Sequence, residues 1–146
     1  MQDAPFIGAL IIAPYCFQGC EDCQNKHLID NHEDYIQRDT AQDIINEVVD
    51  NELNEGIILG GLEWTYSYLG MKALVKCALR NNLKVFIYTY LDEESFTKKF
   101  GELLEDIKGK LYIKFGKYDK KQKIKGKKQF GVKLPTSNQY IKLYEG

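Results

Sequence analysis

Cys16, Cys20 and Cys23 are the residues whose type and spacing carry chemistry. They sit in the segment Cys16-Phe17-Gln18-Gly19-Cys20-Glu21-Asp22-Cys23-Gln24-Asn25-Lys26, as C-x3-C-x2-C. Thiolates are soft donors that select zinc or iron–sulfur clusters. A structural zinc site wants four ligands, and His27, four residues after Cys23, would complete a Cys3His set of the kind found in interaction modules. Zinc knuckles usually pair two C-x2-C units, however, and only Cys20 and Cys23 form one here. A cubane [4Fe–4S] cluster usually takes four cysteines, so three leave one iron without a protein ligand. An open coordination position is what a catalytic centre keeps. The spacing therefore suits a cluster that binds a small molecule at its fourth iron.

The elements that must position this loop follow a regular order. Phe6 to Ala13 is a continuous apolar run ended by Pro14, the pattern of a parallel strand buried on both faces. The cysteine loop follows it directly. Thr40 to Asp43 has the form of a capping box, with Ile44, Ile45, Val48, Val49 and Leu53 on one helix face and Gly56 placed to end the helix. Ile57-Ile58-Leu59 reads as a second buried strand, closed by Gly60-Gly61. Ser67 is placed to cap a helix carrying Met71, Leu74, Val75 and Ala78 inward, with Asn81-Asn82 as its left-handed stop. Lys84 to Tyr90 is β-branched and aromatic, a third strand. Asp92 caps a helix with Phe96, Phe100, Leu103, Leu104 and Ile107, which Gly101 divides. Leu111 to Phe115 is a fourth strand, a lysine-rich loop runs to about Asn138, and Gln139 to Tyr144 is a short last strand.

Alternating strand and helix predicts an α/β protein with a mostly parallel sheet, forming one domain over residues 1–146. Four βα strands are too few for an eight-stranded barrel, so the length allows a partial (β/α) barrel or a small open sheet. Functional loops of such folds sit at the carboxyl ends of the strands. The cysteine loop, Gly60-Gly61 and Thr89-Tyr90 are thus expected on one rim.

Composition sets the outer bounds. The hydrophobic fraction is 44% and the formal net charge is −1, so the chain can build a core and carries no field towards nucleic acid or membrane. The cysteines are not a disulfide framework, because Cys77 stands alone in a helical pattern, where a small core residue is expected. Asp3 stands where an export signal wants positive charge, and no apolar run approaches a membrane span. A reducing, cytoplasmic setting is the expectation.

The cysteine loop after a first strand resembles the signature of the radical S-adenosylmethionine (SAM) superfamily. More of the chain, from about Phe6 to Tyr144, is similar to one subgroup of it, the activating proteins of anaerobic ribonucleoside-triphosphate reductases. The segment Cys20-x-x-Cys23-x-Asn25-Lys26 resembles that subgroup's form. Gly60-Gly61 resembles the superfamily's Gly-Gly-Glu/Asp loop, with the acid, Glu63, one place later. Tyr88-Thr89-Tyr90 is similar to an aromatic-Thr-Gly-Tyr element, Gly116-Lys117-Tyr118 to a Gly-x-Tyr/Phe element, and Thr136-Ser137-Asn138-Gln139 to a Ser-Ser-Asn-Gln element before the last strand. The resemblance implies a radical-SAM-type partial barrel in which Cys16, Cys20 and Cys23 hold a [4Fe–4S] cluster. It implies SAM contacts from Gln24, Asn25, Gly60, Gly61, Glu63 and Thr89. It also implies a large glycyl-radical reductase as partner and a flavodoxin-like protein as electron donor. A related alternative is a radical SAM enzyme acting on a small molecule or peptide, of the deazapurine-forming type.

Taken singly, several of these residues have simpler readings. Gly60-Gly61 alone is a tight turn, Glu63 an acid at a helix start, Thr89 a polar strand end, and Asn25 a partner for its own loop's backbone. His27 and His32 read as solvated loop residues. Seven lysines fall between Lys117 and Lys128. Such a run is either a solvated loop or a surface for an acidic partner.

Overall fold

The computed structural model describes residues 4–12, 41–61, 63–105, 107–117, 119–122, 124 and 127–145. Five strands and three α-helices build the layers: β1 (Gly8–Ile12), α1 (Ala41–Asp50), β2 (Gly56–Gly60), α2 (Tyr68–Arg80), β3 (Lys84–Tyr88), α3 (Glu93–Phe100), β4 (Lys110–Phe115) and, after a short hairpin β5 (Lys128–Gln129) and β6 (Val132–Lys133), β7 (Tyr140–Glu145). Short 3-10 helices lie at Trp64–Ser67, Gly101–Leu104 and Lys120–Gln122. The main sheet has the order β1-β2-β3-β4-β7. β1 to β4 are parallel, in register from Gly8↔Gly56 through Val85↔Leu111, and β7 runs antiparallel to β4. The chain is therefore an α/β protein with a mostly parallel sheet.

Strand order follows chain order from β1 to β4. Right-handed crossovers that always step the same way leave their helices on one face. The apolar clusters agree. Ile45 and Val48 of α1, Met71, Leu74 and Val75 of α2 and Phe96 of α3 share one core with Ile57, Leu59, Val85, Ile87, Leu111 and Ile113 of the strands. Among the described residues the opposite face, with Ile58, Phe86, Tyr112 and Ile141, is covered by Phe6, Val132 and Leu134 and by no helix. Cys77 is 1% exposed in the first core, as expected of it, and its Sγ–H donates to Gln42 Oε1 at 3.3 Å.

Several local signals hold in detail. Asp92 caps α3 by accepting from Ser95 N at 2.7 Å. Asn82 takes the left-handed stop at φ 60°. α3 gives way to a 3-10 turn at Gly101.

Other expectations are corrected. α1 ends at Asp50, so Leu53 lies past it and is 73% exposed, and Val49 is 46% exposed. Gly56 opens β2 rather than ending the helix; a Cβ there would stand 2.2 Å from Lys84 O, so only glycine lets the strands approach. Ser67 makes no capping bond, because the chain enters α2 straight from a 3-10 turn that Glu63 caps. β1 is not buried on both faces: Ile7 is 63% and Leu10 55% exposed, since β1 is an edge strand among the described residues. The lysine-rich segment expected to be a loop contains the 3-10 turn and the β5–β6 hairpin. Thr40 lies outside the described residues.

β7 is fastened to α3 through a small polar cluster. Tyr140 Oη–H donates to Glu93 Oε1 at 2.7 Å, and Lys142 Nζ donates to Glu93 Oε2 at 2.6 Å. Burial, and then the Glu93 carboxylate, push the Tyr140 hydroxyl up to about 12 from 10.0. A folded-state value above the unfolded one stabilises the fold fully below pH 10 and less as pH rises towards 12. Wild type should accordingly lose denaturant resistance between pH 10 and 12. Tyr140→Phe should flatten that slope, and an unchanged slope would show that Tyr140 does not carry it.

Candidate functional site

The carboxyl ends of β1, β2, β3 and β4 form one rim, and three of its loops are bonded to one another. Ile12 ends β1 opposite Gly60, the last residue of β2. Gly61 follows at φ +79°, a conformation that favours glycine, and a Cβ there would stand 2.8 Å from Ile12 Cγ2. Trp64, 4% exposed, donates from Nε1 to Ile11 O at 3.0 Å. The loop after β2 is thus packed against the point where the chain leaves β1 for the cysteine segment. Gly61→Ala should cost about 1–3 kcal/mol by denaturant titration, through strained backbone and contact with Ile12. A cost under ~0.5 kcal/mol would contradict this packing.

Glu63 ties that loop to β3. It is 6% exposed. Its Oε2 accepts from Thr65 N at 3.1 Å, Thr65 Oγ1 at 2.7 Å and Thr89 Oγ1 at 3.1 Å. Its Oε1 accepts from Tyr90 N at 2.7 Å. Thr89, 2% exposed, accepts in turn from Leu91 N at 3.2 Å, and its own N–H donates to Lys114 O at 3.1 Å. A buried carboxylate with four donors is a satisfied anion, and it fixes both loops.

The rim continues to the last strand. Gly116 N donates to Leu91 O at 2.8 Å, and Gln139 Nε2 donates to Gly116 O at 3.2 Å. Lys114 Nζ also donates to Gly116 O, at 3.2 Å, and stands 5.6 Å from the Tyr88 ring centroid.

The structure therefore brings together Gly60, Gly61, Glu63 and Thr89. Cys16, Cys20, Cys23, Gln24, Asn25, His27 and His32 lie outside the described residues. Among the described residues no group of three His, Cys, Asp or Glu is placed to hold a metal. Sequence reasoning missed Thr65, the Tyr90 N–H and Lys114. Thr65 and Tyr90 act through bonds between distant loops, which no local pattern reports. Lys114 had a signal: with Tyr112 it alternates onto the helix-free face of β4.

The rim and the cysteine spacing describe an α/β iron–sulfur protein. The chain belongs to the 4Fe-4S single cluster domain family, whose model matches residues 8–141, from the start of β1 into β7. No curated protein matches the chain, and no solved structure does. Among the described residues no helix is long and apolar enough to cross a membrane.

The residues present fit such a cluster. Three thiolates make a soft donor set that leaves one iron open. Gly61, packed against the Ile12 side chain, holds the loop after β2 close to the point where that segment begins.

Proposed function

We propose that the chain is a radical SAM enzyme that generates a glycyl radical on a partner anaerobic ribonucleotide reductase. The observation that carries this reading is the bonded rim: the cysteine segment leaves β1 beside Gly60-Gly61, and Glu63 links that loop to Thr89. The cysteine spacing, the later strand-end elements and the family of the chain agree with it. Cys16, Cys20 and Cys23 would hold the [4Fe–4S] cluster, and SAM would take the open iron. Among the described residues the helices lie on one face only, which also favours a partial barrel of the radical SAM type with the other face as its interior.

When bound, a cluster reduced by one electron would supply the reductive cleavage of the sulfur–C5′ bond of SAM, with methionine released and the adenosyl carbon left to take a hydrogen atom from a glycine Cα of the partner. The chain's own part is position and exclusion of water. Gly60 and Gly61 would let backbone approach SAM, with Gln24, Asn25 and Thr89 around it. Glu63 would hold the β2 and β3 loops in register. Lys114, beside Tyr88 on the helix-free face, would offer a cation to the SAM carboxylate. A flavodoxin-like protein would deliver the electron. The experiment is anaerobic: reduced protein, SAM and the candidate reductase, with 5′-deoxyadenosine measured and a glycyl radical sought by electron paramagnetic resonance. Cleavage without a radical on the reductase would favour the small-molecule or peptide reading. No iron at all would end the proposal.

A further inference from the structure

The hairpin between β4 and β7 packs one side on the sheet and leaves the other to solvent, and its local chemistry is in conflict with itself. β5 and β6 set Lys128 directly opposite Lys133, and Gln129 opposite Val132. Gln129 and Val132 face the sheet. Gln129 Oε1 accepts from Ile141 N at 2.6 Å, and Val132 is 3% exposed in the second core. Alternation then turns Lys128 and Lys133 outward side by side, both exposed. Like charges directly opposite destabilise a ladder, and this one has only two residues in each strand.

The turn adds a second conflict. Phe130 has φ 51° and Gly131 φ 80°, the left-handed pair that two-residue hairpins reserve for Asn-Gly or Gly-Gly. A bulky residue there is an outlier. Phe130 is nonetheless 46% exposed, touching Tyr112 edge-on at 5.4 Å between centroids. In the segment leading from the hairpin to β7, Thr136 Oγ1, Asn138 Oδ1 and Gln139 Oε1 are buried without a hydrogen-bond partner. Lys117 and Lys121 are exposed on the approach to the hairpin. Proteins keep such local conflicts mainly where function requires them.

We propose that the hairpin from Lys128 to Lys133 is a docking surface for an acidic polypeptide segment that carries an apolar side chain. Its carboxylates would lie between the two ammonium groups, relieving their repulsion, and its apolar group would cover Phe130. A polypeptide fits better than nucleic acid. Residues 117–133 contain eight lysines and no arginine, so the forked donor that reads phosphate and base edges is missing. Asp119, just before the 3-10 turn, puts a carboxylate beside these lysines and accepts from the Lys121 N–H at 3.0 Å. The surface stands whether or not the proposed chemistry does, because its test reads binding rather than turnover.

The test is fluorescence anisotropy at low salt with two probes: a labelled glutamate-rich peptide with one central leucine, and a single-stranded oligonucleotide of equal charge. The peptide is expected to bind, and to bind about tenfold more weakly to the double variant Lys128→Glu, Lys133→Glu. The single variant Lys128→Glu makes an opposite-charge pair across the ladder. It should keep or raise the thermal midpoint while still weakening the peptide, which separates docking from folding. The proposal is overturned if the oligonucleotide binds and the peptide does not, if neither binds, or if both variants bind the peptide as wild type does.

Discussion

Replacing Cys16, Cys20 or Cys23 by Ala should each take the iron content of anaerobically purified protein from about four per chain to near zero. The charge-transfer colour should go with it, and so should the cleavage of SAM proposed above. The size of the effect follows from ligand count. A cubane with three protein thiolates already has one iron open, and removing a second anchor leaves two irons unheld. Cys77→Ala is the internal control. Cys77 is 1% exposed against α1, with its Sγ–H bonded to Gln42 Oε1 at 3.3 Å. Its loss should cost about 1 kcal/mol of packing and leave the iron unchanged. His27→Ala distinguishes the zinc reading: if wild type holds one zinc and no iron, and His27→Ala releases it, the chain is a Cys3His module and the enzyme proposal falls. Iron retained in His27→Ala, and lost in the three cysteine variants, is the result expected of an iron–sulfur centre.

Much of the scaffold around that loop was legible because its signals are local. The apolar blocks Ile57-Ile58-Leu59 and Leu111 to Phe115 are strands by run length alone. Asp92 and Asn82 mark helix ends by chemistry confined to one turn. The cysteine triad is a spacing motif, legible from residue type and number alone. Features that depend on partners far along the chain were not legible. Gly56 looks like a helix stop until the close approach of Lys84 O shows it as a strand residue. The β5–β6 hairpin was hidden in a lysine run, because two-residue strands have no periodicity to read and Lys128 and Lys133 blur the polar alternation. The exposure of Ile7 and Leu10 follows from β1 lying at the edge of the sheet among the described residues, which sequence pattern does not encode. At the site itself, Glu63 was legible as an acid near Gly60-Gly61, but its bonds to Thr89 and to Tyr90 N, 26 and 27 residues on, were not.

Those bonds make Glu63→Ala the second large effect expected of this chain. The substitution strips the acceptor from Thr65 N, Thr65 Oγ1, Thr89 Oγ1 and Tyr90 N at once. Buried donors left without partners cost about 1–3 kcal/mol each, and because they share one acceptor the losses do not add. A total of about 3 kcal/mol is expected, which for a domain of this size lowers the thermal midpoint by roughly 10 °C. Glu63→Gln should fall between, since one carboxylate oxygen becomes an amide NH2 facing a donor. Thr89→Val removes the Glu63 contact together with the acceptor for Leu91 N. A double-mutant cycle between the two positions should therefore show coupling of about 1 kcal/mol. The functional consequence differs from that of the cysteines. Glu63→Ala should keep its iron, because no cysteine is touched, yet lose most of the proposed cleavage of SAM, because the loops after β2 and β3 are no longer held together. If Glu63→Ala stays within ~0.5 kcal/mol of wild type, the carboxylate does not clamp the rim. If it is destabilised but cleaves SAM normally, the clamp holds the fold and not the site.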